Sequence, residues 1–106
     1  MYHADHGTYP VVNGWSGDTA SYGGHGYTAD DPYIPGLIPD YIAMLPRDPN
    51  RKHPADNKGY LYKSNGTDFK VLAYGTPTTF PTDHRYYDPT RPTYAYQVSS
   101  KGGAAW

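Results

Sequence analysis

His3 and His6, three residues apart with Asp5 between them, are the first residues of this chain whose types and spacing could do chemistry. On a helical turn, residues three apart share a face, so two imidazoles and a carboxylate make a candidate set of three metal ligands. The pair belongs to no HExxH motif and has no cysteine beside it. The alternative is two solvated histidines at the end of a helix. Calcium has its own candidates, because carboxylates in loops are hard oxygen ligands: Asp83 with Asp88, and Asp30 with Asp31. Neither pair follows EF-hand spacing, and Asp88-Pro89 also reads as a turn former.

A metal-dependent hydrolase would need His3, His6 or His84 to converge with carboxylates in one cleft, which no spacing here enforces. Ser16, Ser21, Ser64, Ser99 and Ser100 lie outside any G-x-S-x-G elbow, and Gly23-Gly24-His25-Gly26 follows no expected strand and opens no helix. The expectation is therefore a protein that is not an enzyme and has no cofactor, calcium at Asp83 and Asp88 being the weak exception. A binding role has separate support: Trp15, Tyr22 and Tyr27, interleaved with Gly and Asn, could stack on sugar rings. The Asn65-Gly66-Thr67 sequon is already accounted for by a hairpin turn.

The elements that must position these residues are constrained by composition. A chain of 106 residues is one domain. Only 37% of it is apolar and the mean hydropathy is -0.82, yet 13 residues are tyrosine, so the core is expected to be built from Tyr rings with wet hydroxyl ends. All 10 acids are aspartate, the turn-forming acid, and 12 Gly with 11 Pro add to a loop-rich chain with little helix. A formal charge of -1 gives no field favouring nucleic acid or an anionic membrane. There is no cysteine, and no apolar run approaches the roughly 20 residues of a membrane helix.

Along the chain, residues 1–8 read as a helix tail ending at Gly7, which needs an upstream continuation or tight docking to be helical. Residues 11–36 read as a long loop anchored by Trp15, Tyr22, Tyr27 and Tyr33. Leu37, Ile38, Tyr41, Ile42 and Leu45 carry the stripe of a short amphipathic helix over 37–46, begun near Pro39 and stopped by Pro46. The polar excursion that follows turns at Asp48-Pro49 and Lys58-Gly59. Residues 60–63 and 69–74, joined at Asn65-Gly66, give the strongest hairpin signal, with Tyr60 and Tyr62 on one face and Phe69, Val71 and Ala73 on one face of the partner. A loop over 76–92 leads to a third strand in 93–100. The expected architecture is α+β: a helix end, a long loop with a short helix, and a three-stranded antiparallel sheet within 59–100.

Taken in order, DHGTYP, LIPDYIAMLPRDP, GYLYKSNGTDFKVLAYG and YAYQVSSKGGAAW make the chain resemble the globular part of type IV pilin-like proteins, particularly the major pseudopilins of type II secretion systems. The resemblance covers nearly the whole chain after residue 2. It implies a structural subunit of a bacterial pilus-like filament or pseudopilus, partnered by itself, by related pilins and by the assembly machinery. The family's long apolar N-terminal helix, methylated after leader removal, anchors the precursor in the inner membrane and then forms the spine of a periplasmic or extracellular fibre. That segment is absent from this sequence, as in a soluble piece or a pilin split in two. On the matching positions, Gly7, Tyr9 and Pro10 would set the exit from the spine helix, and Leu45, Pro46, Asp48 and Pro49 the turn into the sheet. Tyr60, Tyr62, Phe69 and Val71 would be sheet residues, some packed on the spine. The family's calcium loop is recognisably Asp-rich, whereas 76–92 holds only Asp83 and Asp88.

Overall fold

The computed structural model describes residues 2–17, 22–27, 31–38, 40–42, 44–46, 59–75 and 79–106. Helix α1 spans Tyr2–His6, and four strands follow: β1 Val12–Ser16, β2 Gly59–Ser64, β3 Phe69–Tyr74 and β4 Ala95–Ser99, with a 3-10 turn at Lys101–Gly103. The sheet is antiparallel throughout, in the order β1-β2-β3-β4. Asp48, Pro49, Asp30 and Ser21 lie outside the described residues.

The β2–β3 hairpin forms where the alternation placed it, with Tyr62 opposite Val71 and Tyr60 opposite Ala73. Its connection, 65–68, is longer than a two-residue turn. Asn65 Oδ1 accepts the N–H groups of Thr67 and Asp68, and Ser64 Oγ accepts that of Gly66. These side-chain acceptors stand in for ladder partners the turn lacks.

Three expectations are corrected. The sheet has four strands rather than three, because Val12–Ser16, assigned to the loop over 11–36, pairs with β2. Val12 sits opposite Ser64 and Ser16 opposite Tyr62, so the β1 side carries extra residues, and Gly14 takes a φ of +82° inside that bulge. A bulge resets the two-residue period, which is why the stretch reads as loop. The helix over 37–46 is absent among the described residues: Tyr41 and Ile42 N–H both donate to the Leu37 carbonyl, a single turn, while Leu45 N–H donates to Tyr27. Pro35, Pro39 and Pro46 lack the amide donors that propagation requires. The helix at the N-terminal side is also short. It has five residues rather than being a long element, and the Gly7 N–H closes it on the His3 carbonyl with Gly7 at a φ of +77°.

The sheet buries material on both faces. On the first, Tyr62, Tyr33 and Leu45 form a cluster flanked by Val12, Tyr27, Ile34, Leu37, Tyr60 and Val71. The tyrosine hydroxyls are not left in water as composition implied: Tyr62 donates to the Pro10 carbonyl at 2.6 Å and Tyr33 to the Pro46 carbonyl at 2.8 Å. Each phenol thus satisfies an irregular stretch of backbone that no strand reaches. On the second face Leu61, Leu72 and Ala95 are buried, and two such leucines contribute about 1.5–3 kcal/mol each.

That second face is closed by the chain's last residues. Gly103 lies so close to β3 that a Cβ there would collide with the Phe69 carbonyl, and one on Gly102 would meet the Asp68 carboxylate. Lys70, with no exposed surface, donates to Asp88 Oδ1 at 2.8 Å and to the Ala104 and Trp106 main-chain oxygens at 2.9 Å each. Lys63 lies 5.5 Å from the Trp15 ring and 5.3 Å from the Trp106 ring, and the Arg91 guanidinium 5.1 Å from Trp15. Cations and indoles alternate here as mutual packing partners.

Candidate functional site

Among the described residues, those singled out for chemistry are scattered, and both N-terminal histidines have local partners. His3 packs on Tyr9 with centroids 4.4 Å apart, whereas His6 stacks on Tyr2 at 4.1 Å and meets Tyr41 edge-on. The imidazoles are thus held by different rings, and among the described residues no group of three or more His, Asp or Cys side chains converges as a metal set. Asp5 accepts a hydrogen bond from the Tyr41 hydroxyl, which holds its carboxyl below the ordinary value and pushes the Tyr41 phenol up to about 12. An expected consequence is that the Tyr41 ring-carbon resonances titrate near pH 12 and move toward 10 in Asp5→Asn, as read by NMR.

Asp83 is exposed while Asp88 is fully buried, and the two do not share a site. Asp88 spends its carboxylate on Lys70, on Arg91 at 3.2 Å and on the Thr90 N–H at 2.9 Å. Burial alone would raise its pKa, but these hydrogen bonds and the Lys70 charge outweigh it and hold the carboxyl below 3.8. Lys70 is pulled below the ordinary lysine value chiefly by its own burial. A buried Lys inside a strand of apolar alternation left no trace in the sequence reading. Its signal was available: Lys70 falls on the same face as Leu72, so the position had to be either solvent or a paired charge.

His25 Nδ1 and Asp31 Oδ1 are 2.9 Å apart, a contact that spacing did not reveal. A Cβ built on Gly23 would collide with the other side of the His25 ring, so the imidazole lies against the Gly23 backbone. The three rings proposed as a sugar platform are each engaged separately: Trp15 with Lys63 and Arg91, Tyr22 with Tyr74, and Tyr27 with Tyr33.

What the structure does bring together is an apolar surface on the first sheet face. Gly7 ends α1, the Tyr9 N–H donates to the Gly66 carbonyl, and the Tyr9 ring packs on Phe69 at 4.7 Å. Pro10 is buried under Tyr62. These contacts lay α1 along the rim of a groove of about 330 Å³ lined by Tyr2, Tyr9, Leu37, Ile42, Phe69 and Val71. A second groove of about 360 Å³, with Pro46, Tyr60 and Val98 in its wall, meets the first at Ile34 and Val71. Ile42 and Val98 stand 39% and 51% exposed, well beyond what a finished core leaves in water. Of the residues given structural roles by the sequence, Tyr9, Pro10, Pro46, Tyr60, Tyr62 and Phe69 line these grooves, Leu45 packs with Tyr33 and Tyr62, and Gly7 only closes α1.

Comparison with protein-family models, with curated proteins and with solved structures finds no match to this chain.

Proposed function

We propose that this chain is the sheet-bearing outer domain of a subunit in a pilus-like or pseudopilus filament, with an apolar helix from outside these 106 residues seated on the first sheet face. The observation that carries the reading is the continuous apolar surface from the end of α1 across Phe69, Val71 and Val98, which a helix of apolar periodicity would cover. In this role the domain supplies the outer surface and contacts to neighbouring copies, the helix supplies cohesion and inner-membrane anchorage before assembly, and no residue performs catalysis.

Two experiments test it. The reading frame upstream of, or adjoining, the gene should encode a short basic leader followed by about 20 apolar residues. An ordinary cleavable secretory signal would remove the basis for the proposal. In cells, Val98→Lys should leave the melting temperature of the domain unchanged, since Val98 is already half exposed, while abolishing recovery of the chain in sheared, pelleted filaments. Normal incorporation of that variant would show that the face is not the seat.

A further inference from the structure

The turn between β2 and β3 carries Asn65-Gly66-Thr67, the acceptor motif for N-linked sugars, and the fold leaves the motif open. Asn65 and Thr67 are exposed, whereas Ser64 and Gly66 are buried. The Gly66 carbonyl accepts the Tyr9 N–H at 2.9 Å, and a Cβ on Gly66 would press on Val11 Cγ2 at 3.2 Å. The turn is thereby anchored through its buried residues while the two side chains the motif needs stand in solvent. Gly66 holds a φ of +95°, which reserves the position for glycine, and the motif accepts any residue but proline there.

The turn uses only one of the two polar atoms in the Asn65 side chain. Oδ1 accepts the Thr67 N–H at 3.0 Å and the Asp68 N–H at 2.9 Å, and the Asn65 main-chain N–H donates to the Asp68 carbonyl at 3.3 Å. A flipped carboxamide would set its NH2 against two N–H groups, so the side-chain orientation is fixed. Nδ2 then has no hydrogen-bond partner among the described residues, and the same holds for the Thr67 hydroxyl. The hairpin turn and the acceptor motif therefore draw on different atoms. A substituent on Nδ2 replaces one amide hydrogen and leaves both bonds to Oδ1 intact.

Room for a sugar adjoins the same residue. A cleft of about 490 Å³ is bordered by Asn65, Asn13, Val11, Lys63 and Trp106, which together offer apolar contact for the C–H face of a sugar and polar groups for its hydroxyls. The structure assigns Asn65 as an N-glycosylation site, loaded by a transferase from a sugar activated as a lipid-linked diphosphate. In that step Nδ2 bonds to the anomeric carbon, the bond from that carbon to the diphosphate oxygen breaks, and one Nδ2 proton leaves to a base of the transferase. Nothing is oxidised or reduced. Asn65 and Thr67 line neither groove of the first sheet face, so the inference is independent of the filament reading.

The test is the intact mass of the whole protein purified from the organism that encodes it, with peptide fragmentation to place any added mass. The chain should carry an excess equal to whole sugar residues, located on Asn65. Thr67→Ala should lose that excess entirely and Thr67→Ser should keep it in at least part of the chains, because the motif requires a hydroxyl at this position. The Thr67→Ala chain should retain the amide NMR pattern of the hairpin, since its Oδ1 bonds involve main-chain donors alone. An unmodified mass, a change at Asn65 limited to deamidation, an excess that survives Thr67→Ala, or its loss in Thr67→Ser as well would overturn the site. Any of these together with normal recovery of the chain in filaments would leave the filament reading standing.

Discussion

Asp88→Ala is expected to destabilise the domain by about 3–5 kcal/mol, measured by urea unfolding, because it strands a buried ammonium. Lys70 has no exposed surface, and after the change only the Ala104 and Trp106 main-chain oxygens remain to it. Lys70→Met should cost a comparable amount by leaving the Asp88 carboxylate to Arg91 and Thr90 alone. The double variant Lys70→Met, Asp88→Leu should lose markedly less than the two single losses added together, since removing both charges leaves neither uncompensated. Full additivity would show that the pair contributes packing rather than mutual neutralisation. The same cluster fixes an acid limit. The folded carboxyl of Asp88 lies below 3.8, so the unfolded chain takes up the proton first as pH falls. The stabilisation is complete above about pH 3.8 and declines below it, through the lowered folded value. Asp88→Asn should flatten the acid arm of a stability-against-pH curve while lowering its plateau.

This cluster also shows where the sequence stops being legible. Alternation in 60–63 and 69–74 was enough to place the hairpin and its apolar face, because a two-residue period has one physical meaning when a turn sits between the halves. It was not enough to find β1, where Gly14 and the bulge shift the period, or to see that the loop over 76–92 returns Asp88 beneath the sheet. Tertiary neutralisation of Lys70 draws on residues 18 to 36 positions away and leaves no local pattern. The return of the loop over 76–92 to the edge of β4, where the Gln97 N–H donates to the Tyr86 carbonyl, was hidden for the same reason.

The stretch 37–46 separates sequence pattern from structure most sharply, and one pair of substitutions measures the difference. On an amphipathic helix Ile42 and Leu45, three residues apart, share the buried face, and truncating either should cost about the same. In the folded domain Leu45 is 1% exposed against Tyr33 and Tyr62, while Ile42 is 39% exposed on the wall of the first groove. Leu45→Ala should therefore cost about 2–5 kcal/mol, and Ile42→Ala under about 1 kcal/mol, by urea unfolding. Similar losses would restore the helix. If the groove seats a filament helix, the order reverses in a second assay: Ile42→Ala lowers filament recovery from cells at unchanged domain stability, while the effect of Leu45→Ala follows the fraction of chain that folds. The apolar stripe in the sequence is then explained as two surfaces rather than one. Leu45 is spent inward on the core, and Ile42 is held outward for a partner.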